Sequence, residues 1–330
     1  MRAVRVTSLA GPSAVTVEEV DEPTAEGPFG PQVLVDVHAV GTSFPDLLLS
    51  KGEYQLKPDL PFTLGVDFAG TVRSAPDGSG LQVGQRVAAC LPYGGGADVV
   101  AIGPDSVFPL PDGLSFEQGA ALPMNYLTAQ FALDHRAGLR EGETVLVHGA
   151  AGGVGTATIQ VARGRGARTI AVVSSEEKAE VARRAGADEA VLVDGFLAAV
   201  KDLTGGRGVD VVVDVVGGEL FTDSLRALAP LGRLLVVGFA AGSIPQVKVN
   251  RLLLNNVDVR GVGWGAYAMA RPGFMAEQWA TLLPMMESAP GRSASIDPPL
   301  GDVRPMEEFG AALAEMEDRR TLGKTVVRLR

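Results

Sequence analysis

The stretch TVLVHGAAGGVGTATIQVAR, residues 144–163, consists of a short apolar run, a glycine-rich loop and a helix-like segment, in that order. Small loop residues let the backbone approach a phosphate, and the N-terminus of the helix that begins near Thr156 offers unpaired N–H groups. The spacing is Ala150-x-Gly152-x-x-Gly155, with alanine where the commonest dinucleotide fingerprint has its first glycine. A loop of this kind between a buried strand and a helix predicts that the chain binds a nucleotide.

The loop lies in a proline-free stretch, because none of the 21 prolines falls between Met124 and Ala229. Proline blocks helices and central strands, so regular elements are expected here. Short apolar runs recur and are continuous rather than alternating, which is typical of parallel strands covered on both faces. These runs are 145–147, 169–173, 190–193, 211–213 and 234–237, and a sixth run, 257–262, would complete the sheet. Their alternation with helix-like stretches predicts a doubly wound parallel sheet of six strands.

The first ~120 residues have a different pattern, and the mean domain length leads us to expect a second domain. Residues Val33–Val40 alternate apolar and polar side chains, as a half-exposed strand does. Further short runs separated by glycine and proline indicate a compact β domain. Near the chain end, 306–319 is amphipathic and 325–329 is apolar enough to form a last strand.

Composition excludes several classes of function. The net charge is −10, so the phosphates of a nucleic acid or of an anionic membrane would be repelled. The single cysteine, Cys90, cannot form an internal disulfide, and only three histidines are present, so a histidine-rich metal centre is not expected. No apolar run approaches the ~18 residues of a membrane span, and the first residues do not resemble a signal peptide. We expect a cytoplasmic protein.

The type of nucleotide depends on the end of the second strand, Val173-Ser174-Ser175. An NAD-binding protein usually places an acidic residue there, about 20 residues past the loop, to bond the ribose 2′-hydroxyl. The acid is missing, and the hydroxyls of Ser174 and Ser175 with the Lys178 ammonium suit a 2′-phosphate. This favours NADPH over NADH. A second interpretation is that Ser174-x-x-Glu177 is only a capping box and that Lys178 is solvated.

Several motifs together resemble a known family. They are GTSFPDLLLSKGEY (41–54), LPFTLGVDFAGTV (60–72), AAGGVG (150–155), VVSSEEK (172–178), VVDVVGG (212–218), VVGFAAG (236–242), GVGWGAY (261–267) and TLGKTVVRL (321–329). The chain is similar over essentially its whole length to the zinc-independent quinone oxidoreductase branch of the medium-chain dehydrogenase/reductase superfamily. The resemblance implies an α/β fold, with a GroES-like β catalytic domain (1–123 and 264–330) and an inserted Rossmann domain (124–263).

The same resemblance gives the positions of metal ligands in related zinc-dependent alcohol dehydrogenases. Their two cysteines and one histidine fall at Ser43, Met124 and Val66. Valine cannot bind a metal, and a hydroxyl and a thioether are poor ligands for zinc. The four-cysteine structural loop of those enzymes is absent as well. We therefore expect no metal.

Without a metal, other groups must polarise the substrate carbonyl. The resemblance implies an Asn-x-x-Asp pattern followed by a tyrosine, which here is Ser43-x-x-Asp46 and Tyr54. A serine hydroxyl still donates a hydrogen bond in place of the asparagine amide. Two interpretations of Tyr54 stand: it donates to a developing oxyanion, or it packs at the domain interface. Asp46 is expected to orient the loop rather than to supply a proton.

The resemblance also implies the residues that contact the cofactor. These are Thr128, Ala151, Gly152, Gly153, Val154, Val216, Gly238, Phe239, Val262, Gly263 and Trp264, in addition to the serines and lysine after the second strand. Thr128 would meet the carboxamide side of the nicotinamide, and Val262–Trp264 would line the cleft from the other side. Phe239 and Trp264 also fit the interpretation of core aromatics.

These features lead to a leading hypothesis and two alternatives. The leading one is hydride transfer from NADPH to a quinone or another α,β-unsaturated carbonyl, because delocalisation spreads the incoming charge. A 2-enoyl-thioester reductase such as an enoyl-CoA reductase is the second, and a basic patch including Arg73 and Arg271 would favour it. An NADPH-binding protein with little catalysis is the third. A homodimer is expected, because the edge strand 257–262 needs cover.

Overall fold

The computed structural model describes residues 1–27, 30–287 and 295–330. The chain forms two compact units. Unit 1 comprises Met1–Met124, Pro272–Leu283 and Leu300–Arg330, and unit 2 comprises Asn125–Arg271 and Pro284–Pro299. Within the described ranges, no helix has both the length and the apolar character that crossing a bilayer requires.

Strands and helices are numbered in chain order. The strands are β1 Arg2–Val6, β2 Val15–Glu19, β3 Glu26–Gly27, β4 Gly30–Pro31, β5 Val33–Gly41, β6 Phe62–Thr63, β7 Asp67–Ser74, β8 Arg86–Cys90, β9 Val99–Ile102, β10 Val107–Pro109, β11 Thr144–His148, β12 Arg168–Val173, β13 Glu189–Leu192, β14 Val209–Asp214, β15 Leu228–Val236, β16 Asp258–Gly261, β17 Leu300–Pro305 and β18 Lys324–Arg328. The α-helices are α1 Phe44–Ser50, α2 Phe116–Ala120, α3 Pro123–Gln130, α4 Gly153–Gly164, α5 Glu176–Arg184, α6 Phe196–Leu203, α7 Leu220–Ala227, α8 Asn250–Asn255, α9 Trp264–Met269, α10 Phe274–Met286 and α11 Phe309–Glu317.

Unit 2 is built on a six-stranded parallel sheet in the order β13-β12-β11-β14-β15-β16. The chain runs outward from β11 to β13, returns to β14 beside β11, and then runs outward the other way. All six predicted apolar runs fall on these strands, and their side chains form a buried core with α6 and α7. The predicted doubly wound sheet is therefore confirmed, with the reversal of strand order between β11 and β14.

One strand of this sheet is longer than its apolar run predicts. β15 starts at Leu228, which pairs with Val209 of β14. A register shift follows this pair, and the regular ladder with β14 begins after it. Leu231 follows with a positive φ of 65°, so the strand bends before its apolar part. An interrupted segment of this kind carries no clear periodic signal in the sequence.

Unit 1 is the expected β unit. Its main sheet has the order β10-β8-β7-β5-β18-β17, with β9 also paired to β5, and β2-β1-β6 form a smaller sheet. β18, from the far end of the chain, pairs antiparallel with β5, with Val326 opposite Gly41. Apolar residues of both sheets and of α11 share one core. This sheet fixes the ends of β5, β7 and β18, which carry the polar residues described below.

The boundary between the units differs from the predicted return at residue 264. The return to unit 1 occurs at Pro272, and Pro284–Pro299 belong to unit 2. Contacts within unit 2 explain the difference. The Tyr267 ring lies 5.0 Å from the Phe131 ring, and the Met285 carbonyl accepts a hydrogen bond of 2.9 Å from the Ile296 N–H. Such contacts are not visible in a local sequence pattern.

Candidate functional site

Five of the predicted ligand-binding segments of unit 2 follow the carboxyl ends of its strands. The glycine loop follows β11, Ser174 follows β12, and Val216 follows β14. Gly238 follows β15, and Val262 follows β16. Because the six strands are parallel, all of these segments lie at one edge of the sheet. Open α/β sheets bind ligands at this edge, where the strand order reverses.

In the glycine loop after β11, the backbone at the start of α4 lies very close to the backbone at the end of the strand. Gly152 is the N-cap of α4, and Gly149 has a φ of 62°, which favours glycine. A Cβ on Gly155 would lie 2.7 Å from the Ala150 Cα, so only glycine allows the helix to start this close to the strand. Gly149 supplies the left-handed turn, which explains why alanine is tolerated at position 150.

The helix that follows the loop has twelve residues and presents its N-terminus at the strand ends. Gly152, Gly153 and Val154 are half-buried there, and Ala151 is buried. A helix N-terminus with free N–H groups attracts a phosphate through hydrogen bonds and through the helix dipole. The loop is therefore suited to a pyrophosphate, as its sequence predicts.

The serines after β12 have separate roles. Ser175 is the N-cap of α5, and its Oγ accepts a hydrogen bond of 3.3 Å from the Lys178 N–H. The cap is thus Ser175 and not Ser174, which corrects the capping-box interpretation. Ser174 is exposed, and its Oγ accepts a hydrogen bond of 3.2 Å from the Lys178 Nζ. The negative charge of Glu176 is paired with Arg183 at 2.6 Å.

The segments after β14 and β15 lie close together. Asp214 Oδ1 accepts hydrogen bonds of 2.8 Å from the Val216 N–H and 2.9 Å from the Gly217 N–H, which fixes the turn after β14. A Cβ on Gly217 would lie 3.0 Å from the Phe239 ring. Phe239 and Gly238 are both half-buried. These two turns therefore present mainly backbone at the sheet edge.

Most of the remaining residues predicted to contact the cofactor are buried. Thr128 in α3, Val262 and Trp264 are buried, and Gly263 is exposed. Trp264 begins α9 and retains 5% exposure, which favours its interpretation as a core aromatic. Gly263 is the member of this segment that keeps its backbone accessible.

In unit 1, Asp46 organises the loop before α1. Its Oδ2 accepts a hydrogen bond of 2.9 Å from the Ser43 N–H, and its Oδ1 accepts one of 2.9 Å from the Gly65 N–H. The carboxyl group is fully buried, and burial raises its pKa to about 7, although both N–H donors oppose the shift. Asp46 joins the segment before α1 to the segment before β7, which matches the orienting role expected for it.

A second buried carboxylate, Asp67, is not among the residues that the sequence singles out. Its Oδ2 accepts hydrogen bonds of 2.8 Å from the Lys324 Nζ and 3.0 Å from the Ser43 Oγ, and its Oδ1 accepts one of 2.7 Å from the Met124 N–H. Lys324 also donates to Ser43 Oγ at 2.6 Å. We call Ser43, Asp67 and Lys324 the ammonium cluster. The only signal in the sequence is a charged residue beside an apolar run, at the start of β7 and again at the start of β18.

Tyr54 and Cys90 lie near these carboxylates. Tyr54 is half-buried against the core of unit 1, and burial, followed by Cys90 and Asp46, raises the pKa of its hydroxyl. The phenol is therefore neutral at physiological pH, and its hydroxyl forms no hydrogen bond to any residue that the structure describes. Cys90 is buried, and burial raises the pKa of its thiol well above the usual value. A protonated buried thiol is a poor nucleophile.

No metal centre is evident in the described ranges. They contain no group of three or more His, Cys, Asp or Glu side chains placed to hold a metal ion. Ser43 is held by Lys324, Val66 is fully buried and apolar, and Met124 contributes its backbone N–H to Asp67.

Comparisons with known proteins agree with this architecture. Residues 30–119 match the alcohol dehydrogenase GroES-like domain family, and residues 153–288 match the zinc-binding dehydrogenase family. Quinone oxidoreductase-like protein 2 from Rattus norvegicus is 39% identical, over 100% of this chain and 92% of its own length. The chain belongs to the quinone oxidoreductase branch of the medium-chain dehydrogenase/reductase superfamily.

Two solved structures resemble the chain closely. A probable oxidoreductase from Mycobacterium abscessus is 44% identical with a TM-score of 0.88, covering 100% of this chain and 99% of that one. The quinone oxidoreductase from Thermus thermophilus, also solved in complex with NADPH, is 36% identical with a TM-score of 0.83, and coverage is 100% of both chains. The GroES-like and Rossmann architecture that the sequence implies is therefore confirmed.

The raised pKa of Asp46 predicts a pH dependence of stability. The folded protein holds this proton more tightly than the unfolded chain, so the contribution is full below the usual value of 3.8 and is lost as the pH rises through about 7. Between those values, the unfolding free energy of the wild type should fall relative to Asp46→Asn by about 1.4 kcal/mol per pH unit. Urea denaturation at closely spaced pH values measures this difference. The exposed Asp112→Asn is the control, and parallel profiles for wild type and Asp46→Asn would contradict the prediction.

Proposed function

We propose that this oxidoreductase transfers a hydride from NADPH to a quinone or another α,β-unsaturated carbonyl without a metal. The observation that carries the proposal is the alignment of five ligand-binding segments at one edge of the sheet in unit 2, in a chain of the quinone oxidoreductase branch. Membership of this branch makes the chain an NADPH-dependent oxidoreductase. The acceptor is the new part of the proposal.

The arrangement in unit 2 fits NADPH. The pyrophosphate is assigned to the loop Ala151–Val154 at the N-terminus of α4, and the 2′-phosphate to the Ser174 hydroxyl and the Lys178 ammonium. No acidic side chain follows β12 directly to bond a free 2′-hydroxyl. The nicotinamide is assigned to Thr128 and to the backbone near Gly238 and Gly263. The Thermus thermophilus relative binds the same cofactor, which supports the assignment.

The bound cofactor supplies a hydride, and the protein must stabilise the negative charge that this hydride leaves on the acceptor oxygen. Tyr54 is assigned the role of hydrogen-bond donor to that oxygen, since its hydroxyl is neutral and forms no bond within the described residues. Ser43 is assigned a role in binding or polarising the same oxygen. In a conjugated acceptor the charge is delocalised, so donors of this strength suffice.

The charges at the ammonium cluster support the proposal that the reaction needs no zinc. A lysine ammonium already donates to Ser43 and Asp67, and a divalent cation at the same oxygens would be repelled by it. The residues at the three ligand positions of zinc enzymes are a serine, a valine and a methionine, and they do not fit that metal.

The structure gives no specific support to an enoyl-thioester substrate. Arg73 is engaged by Asp36 at 2.6 Å and Glu22 at 2.9 Å, and Arg271 lies 4.2 Å from the centre of the Tyr267 ring. The charge of Arg73 is therefore neutralised by two carboxylates. Arg271 is exposed and forms no ion pair with any residue that the structure describes, but one arginine does not make the basic patch that a CoA phosphate would require.

A side-by-side assay of acceptors tests the proposed reaction. NADPH oxidation would be followed with a quinone, a simple enone and a crotonyl thioester, and we expect turnover with the first two and at least ~10-fold lower kcat/KM with the thioester. Tyr54→Phe should lower kcat by about 10- to 100-fold, because one oxyanion donor is lost. Preference for the thioester would replace the proposal with its alternative. Tight NADPH binding without turnover on any acceptor would indicate a binding protein.

Lys178 provides a test of cofactor choice. Lys178→Ala removes the ammonium beside Ser174, so the Kd for NADPH should rise by about 10-fold or more while the Kd for NADH changes by less than about twofold. Titration of the fluorescence of each reduced cofactor measures both constants. Lys201→Ala, at an exposed lysine of the same unit, is the control. Equal changes for both cofactors would show that Lys178 does not meet the 2′-phosphate.

We also propose that two copies of the chain pair through β16. β16 is an edge of the sheet in unit 2, and exposed apolar side chains precede it at Val249, Leu253 and Leu254. Pairing would satisfy the unpaired edge and cover these side chains. Leu253→Glu with Leu254→Glu should convert a dimer to a monomer in light scattering, whereas Val83→Glu in unit 1 should not. A monomeric wild type at micromolar concentration would refute the pairing.

A further inference from the structure

Lys324 is a buried ammonium that the sequence analysis did not assign to any function. Its side chain is 5% exposed and that of Asp67 is 0% exposed, and their charged atoms lie 2.8 Å apart. Ion pairs this deeply buried are expensive to desolvate and seldom stabilise a fold more than apolar residues of the same shape would. The pair therefore calls for an explanation other than stability.

The position of the ammonium cluster is informative. Ser43 and Met124 stand where zinc-dependent relatives have their cysteine ligands, and Val66, the histidine position, directly precedes Asp67. The ammonium donates to Ser43 Oγ, and the Met124 N–H donates to the other oxygen of Asp67. Two of the three positions, Ser43 and Met124, thus form hydrogen bonds within the cluster, and the third directly precedes Asp67 in the chain.

The lysine side chain passes close to a glycine. A Cβ on Gly41, at the end of β5, would lie 2.3 Å from the Ala120 carbonyl oxygen and 2.7 Å from the Lys324 Cε, so the absence of a side chain at Gly41 leaves room for both. The hydrogen bonds of the ammonium cluster also orient the Ser43 hydroxyl. Ser43 accepts from Lys324 and donates to Asp67 at 3.0 Å, so both neighbours hold its hydroxyl in one orientation.

We propose that Lys324 is a positioning residue, a built-in cation that acts through the Ser43 hydroxyl. An oxygen that accepts a hydrogen bond from an ammonium is a stronger donor in its own right, because successive hydrogen bonds polarise one another. When negative charge develops on an acceptor oxygen, the Ser43 hydrogen is drawn from Asp67 to that oxygen while Lys324 holds the Ser43 Oγ in place. No proton is transferred. This inference rests on the proposed function.

The lysine charge can be removed alone or together with the charge of Asp67, and comparing the two variants separates a positioning role of Lys324 from a structural one. Lys324→Met leaves Asp67 buried and unpaired, and we expect the melting temperature to fall by about 10 °C. Lys324→Met with Asp67→Asn removes both charges and should recover most of that loss. If Lys324 positions Ser43, kcat in the double variant stays at least ~10-fold below that of the wild type, with the Kd for NADPH within about twofold. Full recovery of kcat with stability would overturn the proposal.

Coupling to Ser43 gives a second measurement. Ser43→Ala should lower kcat by about 10-fold in the wild type and by less than about twofold in the Lys324→Met/Asp67→Asn background, because the cation that polarises the hydroxyl is gone. Equal effects in both backgrounds would overturn the proposal. Lys57→Met, at an exposed lysine of unit 1, is the matched control.

The same set of Ser43, Lys324 and Asp67 variants separates a failure of the proposed function from a failure of the positioning role of Lys324. If the wild type reduces no quinone or enone, the proposed function fails. The melting temperatures of the same variants still report the coupling of Ser43 to Lys324. A coupling of zero there would remove the positioning role independently of turnover.

Discussion

Parallel pairing of the six strands in unit 2 is the constraint on which the nucleotide site depends. Each βαβ crossover starts at the same edge of the sheet, so segments that are far apart in sequence must meet there. At β11 the constraint becomes steric, since the helix after the loop starts within contact distance of the strand only if Gly155 has no side chain. The chemistry assigned to this edge uses mostly backbone groups, which explains why small residues recur in all five segments.

Much of this arrangement is predictable from periodicity. Continuous apolar runs predict five of the six strands of unit 2, because parallel strands covered on both faces have no polar positions to interrupt the pattern. The run at the edge strand β16 is interrupted by Asp258 and Arg260. The predicted capping residue lies one position too early, since Ser174 and Ser175 are adjacent and both are good caps. The predicted return to unit 1 also comes too early. The contact of Tyr267 with Phe131 joins residues that are distant in sequence, and no local pattern records it.

The ammonium cluster is the least predictable part of the site. A lysine in a terminal strand suggests a solvated face, and an aspartate next to an apolar run suggests a strand end. The pairing of β5 with both β7 and β18 places the two charges together in the interior of unit 1. Local sequence analysis therefore predicts the strands and the glycine turn of unit 2 well, and it is weak for buried charges whose partners are distant.

The pairing of β5 with β18 also bears on how the chain folds. Asp67 and Lys324 are separated by 257 positions, whereas the strands of unit 2 follow one another with short intervals. Contacts between distant residues carry a larger entropy of loop closure and form late. During synthesis the whole of β11–β16 emerges before β18 exists, so unit 2 can fold while the sheet of unit 1 still lacks a central strand. The early carboxylate then remains without its cation until the last strand docks, and that docking step completes unit 1.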